Sequence, residues 1–185
     1  MDTIRAFIAI HLPAVVQEVL GAVSQELAPR VPERAVTWVK PDRMHLTLRF
    51  LGDTPISRLG ELAEMLDAVA AQHRPFHLRL GHLGAFPNER RPRVIWVGLT
   101  GDLQSATALQ QVLDQRLVPL GWQPEGKPFS PHLTLGRVKR ANDQIRLPWG
   151  RGVAPASFTV EAIYLMESQL RPEGPLYTVR HVSTL

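Results

Sequence analysis

The chain has 185 residues, of which 44% are hydrophobic and 21% charged, and its formal net charge is +4. This composition is typical of a soluble globular domain, and no apolar run approaches the roughly 20 residues that a membrane-spanning helix needs. The absence of cysteine excludes disulfides, a thiol nucleophile and cysteine-ligated zinc or iron–sulfur sites.

Hydrophobic alternation and turn residues predict the elements of the first half in chain order. Thr3 to Leu12 alternates and is rich in Ile and Phe, which indicates a strand. Pro13 then opens a helix that continues to about Leu27. The next predicted elements are a short strand at 36–39, a strand at 44–51, a turn at 52–55 and a helix from a Ser57 cap to about Gln72.

The second half consists of strands around one helix. The predicted strands are 76–83, 94–99, 129–138, 157–167 and 176–182. A helix capped by Asp102 is expected to end near Leu117, and residues 141–155 form a connection that contains Gly and Pro. This order predicts an α+β fold with antiparallel sheets that helices cover on one side, and it hints at a duplicated lobe.

The tetrapeptide HLTL occurs twice, at 45–48 and at 132–135, each time within a predicted strand. Because side chains alternate along a strand, the His and Thr of each copy share one face and the two Leu share the other. If the leucines face a core, each strand presents an imidazole and a hydroxyl on its open side. Two such strands side by side would surround one small cavity with two imidazoles and two hydroxyls.

This set of groups suits the cleavage of a cyclic phosphodiester. An imidazole titrates near neutral pH, so His45 and His132 can act as general acid and general base in one turnover. The hydroxyls of Thr47 and Thr134 can donate hydrogen bonds to an anionic phosphoryl oxygen. Opening the ring requires one group that activates water and another that protonates the departing alkoxide.

The other candidate residues favour structural roles on sequence alone. The five histidines outside the motif have no accompanying pattern of carboxylate ligands, so we expect neither a metal nor another cofactor; these are His11, His73, His77, His82 and His181. We expect the charged loop 89–93 to be solvated surface and Trp96 to lie in the core. Trp122 and Trp149 are candidates for base stacking, and Tyr177 fits either a groove or the core.

The positive charge is carried almost entirely by arginine, whose planar fork matches phosphate. A basic excess fits a nucleic-acid partner, although an arginine-rich proteome would give the same balance. The N-terminus lacks the basic start, apolar centre and cleavage site of an export signal. We therefore expect a cytoplasmic monomer with no membrane partner.

Motifs along most of the chain give it a resemblance to a known family. They are RAFIAI with LP at 5–13, HLTL with FLG at 45–52, PRVIWVG at 92–98, PHLTLGR at 131–137, and Glu167, Ser168, Leu170, Gly174, Pro175 and Tyr177. The chain resembles the two-histidine phosphoesterases and, within them, the bacterial and archaeal RNA 2′,3′-cyclic phosphodiesterases, also called 2′-5′ RNA ligases. The motifs are specific as a set, whereas any single one is not.

The resemblance implies one domain over residues 1–185, made of two pseudo-symmetric lobes, each with an antiparallel sheet and helices, around a groove. It implies metal-independent opening of a 2′,3′-cyclic phosphate at an RNA end to a 2′-phosphomonoester, and the joining of tRNA halves through a 2′-5′ linkage. Carried onto this sequence, His45 is the proton donor and His132 the proton acceptor. Thr47 and Thr134 hold the phosphate oxygens.

Two arginines are candidates for the phosphate. The resemblance places Arg137 beside it, but strand alternation puts Arg137 on the face of the motif leucines. A bulge at Gly136 would remove this conflict, because a glycine within a strand often marks a bulge that redirects the residues after it. The same alternation puts Arg49 on the open face with the motif His and Thr, so Arg49 is the second candidate.

Two other functions remain open at this point. One is a phosphodiesterase that acts on small cyclic nucleotides or 2′-5′ oligonucleotides. The other is a non-catalytic RNA-binding module, which predicts salt-sensitive RNA affinity without turnover and without an effect of replacing His45. The identical duplication of HLTL argues against the module.

Overall fold

A computed structural model describes residues 2–139, 145–172 and 174–185 and confirms the predicted α+β class. Residues 141–144 of the predicted 141–155 connection lie outside the described residues. The α-helices of the described ranges are α1 (Ala14–Leu27), α2 (Leu59–Ala70) and α3 (Leu103–Leu117). The strands are β1 (Thr3–His11), β2 (Val36–Trp38), β3 (His45–Pro55), β4 (Phe76–Phe86), β5 (Val94–Gly101), β6 (His132–Val138), β7 (Ser157–Val160), β8 (Ala162–Gln169) and β9 (Leu176–Thr184).

These strands form one antiparallel sheet in the order β7-β4-β5-β6-β3-β1-β8-β9, with β2 also paired to β6. β3 and β6 meet at the pairing of Leu46 with Leu133. We call the part with β3, β1, β8 and β9 the first lobe and the part with β7, β4, β5, β6 and β2 the second lobe. The two predicted sheets are therefore joined edge to edge, and the two H-x-T strands lie side by side at the junction.

The helices cover one face of the sheet. α2 packs on β8 and β9, α1 contacts β6, and α3 contacts β3 and β4. Leu46 and Leu133 are fully buried in this core, and burial of such a side chain stabilises the fold by about 1.5–3 kcal/mol. The opposite, open face carries a small second cluster of Phe7, Ala9 and Met166. Among the described residues, no helix is long and apolar enough to cross a membrane.

The turn predicted at residues 52–55 is wrong, because β3 continues through it. Gly52 pairs with Ala6 of β1, and the register shifts by one residue between Ala6 and Phe7. Gly52 has a φ of 69°, a conformation that glycine adopts without strain. A Gly-Asp-Thr-Pro segment suits a turn, but here its glycine serves a bulge within the strand.

The single strand predicted over 157–167 is also wrong, because it consists of β7 and β8 in different lobes. β7 pairs with β4 at the edge of the second lobe, whereas β8 lies between β1 and β9 in the first. A continuous run of strand-forming residues does not show where the chain changes its neighbours. Because of this crossing, each lobe contains strands from both halves of the sequence.

Candidate active site

The two H-x-T motifs stand at the starts of neighbouring strands, and their first leucines pair with each other. Antiparallel pairing of Leu46 with Leu133 directs His45 toward Thr134 and Thr47 toward His132. The motif leucines are buried in the core, while the imidazoles and hydroxyls are half-buried on the open face. The junction of the lobes therefore gathers two imidazoles and two hydroxyls.

The same backbone contact fixes each motif imidazole. Nδ1 of His45 lies 2.8 Å from the carbonyl oxygen of Arg43, and Nδ1 of His132 lies 2.7 Å from that of Ser130. A carbonyl oxygen can only accept a hydrogen bond, so Nδ1 carries the proton and donates it in both rings. In the neutral tautomer the lone pair is then on Nε2, which is the nitrogen available for proton exchange.

Aromatic rings pack against both imidazoles. The ring of His45 lies 5.0 Å from Phe7 and 5.2 Å from Tyr177, which meets it edge-on. The ring of His132 lies 4.8 Å from Phe86, also edge-on. These contacts remove water from the sides of both rings and limit their rotation.

Burial lowers the pKa of both imidazoles below the ordinary value of 6.5. For His45 the hydrogen bond to the Arg43 carbonyl opposes this change, and the charges of His11, Arg137 and His132 add to it. For His132 the nearby Arg137 also lowers the pKa. Without a ligand both rings are therefore neutral at pH 7, and a bound phosphate anion would favour their protonated forms.

Each H-x-T strand contains a bulge at the last leucine of its motif. The register of β3 against β1 shifts at Leu48, and the register of β6 against β5 shifts at Leu135. A bulge resets the alternation of the residues that follow it. Residues 49 and 136 consequently turn toward the core, and residues 50 and 137 turn toward the open face.

Arg49 therefore does not share the face of His45, and the prediction that it does is wrong. Its side chain is 8% exposed, and Nε lies 3.0 Å from Oδ1 of Asp114 in α3. The guanidinium also donates to the Glu125 carboxylate and to the backbone carbonyl of Gln123. Arg49 thus ties β3 to α3 and to the loop after that helix.

Arg137 reaches the open face because of the bulge that Gly136 predicted. A Cβ at Gly136 would come within 2.6 Å of Val36 and 3.1 Å of Trp38, so the turned-in position is closed to side chains. Arg137 itself is exposed, and its charge acts on both motif imidazoles. Of the two candidate arginines, Arg137 thus lies on the open face, whereas Arg49 belongs to the protein interior.

Comparison with known sequences reveals the family. The sequence profile of the LigT-like phosphoesterases matches this chain twice, over residues 10–96 and 97–177. The chain belongs to the LigT-like phosphoesterase family. Each motif histidine lies 35 residues after the start of its match (45 − 10 and 132 − 97), which supports the duplication that the sequence hinted at.

Named relatives and solved structures agree with this family and confirm the predicted resemblance. The RNA 2′,3′-cyclic phosphodiesterase of Methanothermobacter thermautotrophicus is 32% identical, over 98% of this chain and 99% of that protein. The enzyme of the same name from Thermus thermophilus is 35% identical, over 95% of this chain and 87% of that protein. A crystal structure of a Thermus thermophilus protein matches with a TM-score of 0.83 at 31% identity, covering 98% of this chain and 97% of that one. Escherichia coli LigT complexed with 3′-AMP matches with a TM-score of 0.81 at 26% identity, covering 100% of this chain and 99% of that one.

His11 lies in this LigT-like site, although the sequence favoured a structural role for it. It pairs with His45 across β1 and β3. Its ring stacks on Tyr164 at 3.9 Å, its Nε2 lies 3.3 Å from the Met166 sulfur, and burial lowers its pKa. The signal that could have found it is the alternation of β1, which puts Phe7 and His11 on one face.

Other aromatic residues are also placed differently from the sequence interpretation. Trp96, expected in the core, lines the site with its ring 6.3 Å from that of His132. Trp122, a candidate for base stacking, donates from Nε1 to the Leu51 carbonyl at 3.0 Å and is covered by Arg58. Within the described ranges, no group of three or more His, Asp or Glu residues could hold a metal ion.

Proposed function

We propose that this protein hydrolyses the 2′,3′-cyclic phosphodiester at the 3′ end of an RNA to a 2′-phosphomonoester. The observation that carries the proposal is the pairing of Leu46 with Leu133, which directs two H-x-T motifs to one point on the open face. The names of the relatives from Methanothermobacter and Thermus support this substrate. The complex of Escherichia coli LigT with 3′-AMP supports a site for a nucleotide phosphate in this fold.

In the proposed reaction, Nε2 of His132 removes a proton from water as the water oxygen attacks phosphorus. The bond from phosphorus to O3′ breaks, and Nε2 of protonated His45 gives its proton to O3′. The product is a 2′-phosphate beside a 3′-hydroxyl, with His45 neutral and His132 protonated. Proton exchange with solvent restores the starting forms.

The charge that develops on the phosphoryl oxygens needs hydrogen-bond donors and a cation. We assign the donors to the hydroxyls of Thr47 and Thr134 and the cation to Arg137. Arg49 has no part in this assignment, because its guanidinium is paired with Asp114 and Glu125. The imidazoles and Arg137 supply the proton transfer and charge neutralisation that a metal ion provides in other phosphodiesterases, so we propose metal-independent catalysis.

The same groups can join two RNA ends. If the 5′-hydroxyl of a second RNA replaces water, its oxygen attacks phosphorus, O3′ leaves, and a 2′-5′ linkage forms. His132 and His45 move the same two protons as in hydrolysis. We propose this transfer, with tRNA halves as one substrate pair, as a second reaction of the site.

The decisive experiment uses an RNA oligonucleotide with a 2′,3′-cyclic phosphate end in the presence of EDTA. We expect a 2′-phosphate product, identified by mass and by comparison with 2′- and 3′-phosphate standards. A nucleoside 2′,3′-cyclic phosphate and a 2′-5′ oligonucleotide, assayed in parallel, distinguish the RNA-end enzyme from a small-nucleotide phosphodiesterase. Activity that survives the double substitution His45→Ala and His132→Ala refutes the proposal, and His73→Ala is the control.

The division of roles between the histidines has its own test. A substrate with sulfur in place of O3′ has a thiolate leaving group that departs without a proton. We expect this substrate to restore activity to His45→Ala but not to His132→Ala. Restoration of the His132 variant instead would reverse the assignment of acid and base.

A further inference from the structure

We propose that the RNA upstream of the cyclic phosphate leaves the groove over the second lobe and that its phosphates bind a basic rim there. The basic rim consists of Arg90, Arg91, Arg93, Lys139 and Arg146. The inference rests on the proposed function, because it assigns a path to the substrate of that site. A cyclic phosphate occupies the 3′ end of its RNA, so the remaining nucleotides extend from the site in one direction.

The loop that carries three of the rim arginines connects two walls of the site. β4 ends at Phe86, whose ring contacts that of His132, and β5 begins at Val94, which pairs with Arg137. Residues 87–93 join these two positions. The rim is therefore continuous with the site rather than a separate surface.

Hydrogen bonds give this loop a defined shape. The Asn88 side-chain oxygen accepts from the backbone N–H of Arg90 at 3.1 Å and of Arg91 at 3.0 Å. The carbonyl of Arg93 accepts from the N–H of Val138 in β6 at 3.0 Å. An ordered loop presents its charges without the loss of binding free energy that ordering a mobile segment would cause.

The rim side chains are exposed, and none forms an ion pair with an acidic side chain of the described residues. Several arginines outside the rim are paired: Arg30 and Arg151 with Glu26, Arg58 with Glu61, and Arg180 with Glu167. The rim thus concentrates positive charge that the fold itself does not neutralise. Such a surface attracts a polyanion.

A hollow of about 440 Å³ lies within the rim, and this volume suits a ligand of nucleotide size. It is lined by Glu89, Arg90, Ile145, Arg146, Leu147 and Trp149. Two guanidinium groups outweigh the one carboxylate, and the indole of Trp149 adds a stacking surface. Cations that follow the phosphates and an aromatic ring for a base are the usual parts of a single-strand path.

The open face of the first lobe has a different character. Its exposed side chains include the apolar Phe50, Val179 and Val182, and two cations besides Arg137, Arg43 and Arg5, lie near Tyr177. An apolar surface suits bases and ribose better than phosphates. The contrast between the lobes therefore assigns the upstream phosphates to the second lobe.

Arg90 and Arg91 lie in the middle of the loop, away from Phe86 and Val94 at its two ends. Gly98 of β5 pairs with His132, whereas the loop begins beyond Val94, four residues along the same strand. At the usual rise of a strand this is a distance of about 13 Å. We therefore expect the upstream phosphates of an oligonucleotide to reach Arg90 and Arg91, whereas the phosphate of a mononucleotide stays at the imidazoles.

The test compares a nucleoside 2′,3′-cyclic phosphate with an octanucleotide that has the same cyclic end. For the variant Arg90→Gln plus Arg91→Gln we expect kcat/KM on the octanucleotide to fall roughly three- to tenfold, with a weaker dependence on salt. Turnover of the mononucleotide should be unchanged. The control Arg74→Gln plus Arg116→Gln removes two exposed arginines elsewhere and should leave both substrates unaffected.

Equal losses in the two variants, or no loss on the octanucleotide in the rim variant, would overturn the proposed path. Binding of a fluorescent octanucleotide, measured by anisotropy with and without the rim substitutions, gives the same answer independently of turnover. Failure of the unsubstituted protein to cleave the octanucleotide counts against the proposed function instead. The two inferences can therefore fail separately.

Discussion

Leu46 of β3 and Leu133 of β6 pair with each other, and the two H-x-T motifs are related by an approximate two-fold axis through this pair. The relation extends to each imidazole, whose Nδ1 donates to the carbonyl two residues earlier, and to the bulge at the last motif leucine. The halves differ immediately after that bulge. One presents Phe50 to the open face, and the other presents Arg137.

The pH dependence of activity should reflect the lowered pKa of both imidazoles. In the proposed mechanism, the active free enzyme holds a proton on His45 and none on His132. As pH rises above the pKa of the pair, His45 loses its proton; as pH falls below it, His132 gains one. Because burial lowers both pKa values, the bell-shaped profile of kcat/KM should have its maximum below pH 6.5.

The substrate complex should behave differently from the free enzyme. A phosphate anion raises the pKa of a neighbouring imidazole, so the profile of kcat should lie at higher pH than that of kcat/KM. Both profiles come from one set of steady-state rates measured across pH 4.5–9 at constant ionic strength (about 0.1 M, so that screening is fixed). A maximum of kcat/KM above pH 7 would contradict this account.

Removal of either motif hydroxyl should slow the reaction. Thr47→Val and Thr134→Val keep the shape of the side chain but lose a hydrogen bond to a charged oxygen, which contributes about 1.5–3 kcal/mol. We expect kcat/KM to fall roughly ten- to a hundredfold in each. Thr→Ser at the same positions retains the donor and should stay near the unsubstituted rate, so equal losses in the Val and Ser variants would remove this role.

Substitution of Arg49 should lower stability, whereas substitution of Arg137 should lower activity. Arg49→Ala leaves Asp114 and Glu125 without their partner, and we expect the free energy of unfolding to fall by about 2–4 kcal/mol, limited by the exposure of Glu125. Arg137→Ala should leave unfolding almost unchanged and lower kcat/KM at least tenfold. Denaturant unfolding and steady-state rates on the same two variants check both statements, and a reversed pattern would show that the two roles are exchanged.

Gly136→Ala should disturb both the fold and the site. The added methyl group would meet Val36 and Trp38 at distances that require them to move, and overpacking of this kind costs about 1–3 kcal/mol. Movement of β6 at this point also shifts Arg137, so KM should rise. Gly60→Ala in α2 is the matched control, because nothing lies within 4 Å of its Cβ and it should be neutral or slightly stabilising.

Much of the fold could be predicted from hydrophobic periodicity and from the positions of Pro and Gly. β1, α1, α3 and the H-x-T strands follow alternating or helical apolar patterns, and the structure has an element at each place. The segment 157–167 could not be divided in the same way. Its residues favour a strand throughout, and the change at Glu161 from β4 to β1 as neighbour depends on contacts distant in sequence.

The positions of the site side chains were predictable only as far as the alternation holds. It places the motif His and Thr together, but it fails for Arg49 because a bulge at Leu48 leaves no mark in the residues around it. In β6, Gly136 follows the bulge directly and indicated it in the sequence. The structure has Arg137 on the open face, as this bulge predicts. His11 lacked any motif, and its place beside His45 required the pairing of β1 with β3.

The interwoven strands have a consequence for how such a protein could arise. A polypeptide with only one half of this sequence would contain one motif imidazole and an incomplete sheet. It could neither close its core nor carry out acid–base chemistry with two motif imidazoles. Two copies that exchanged strands around the Leu46–Leu133 axis would restore both. The candidate site on that axis therefore has the geometry that a strand-swapped homodimer of such halves would have.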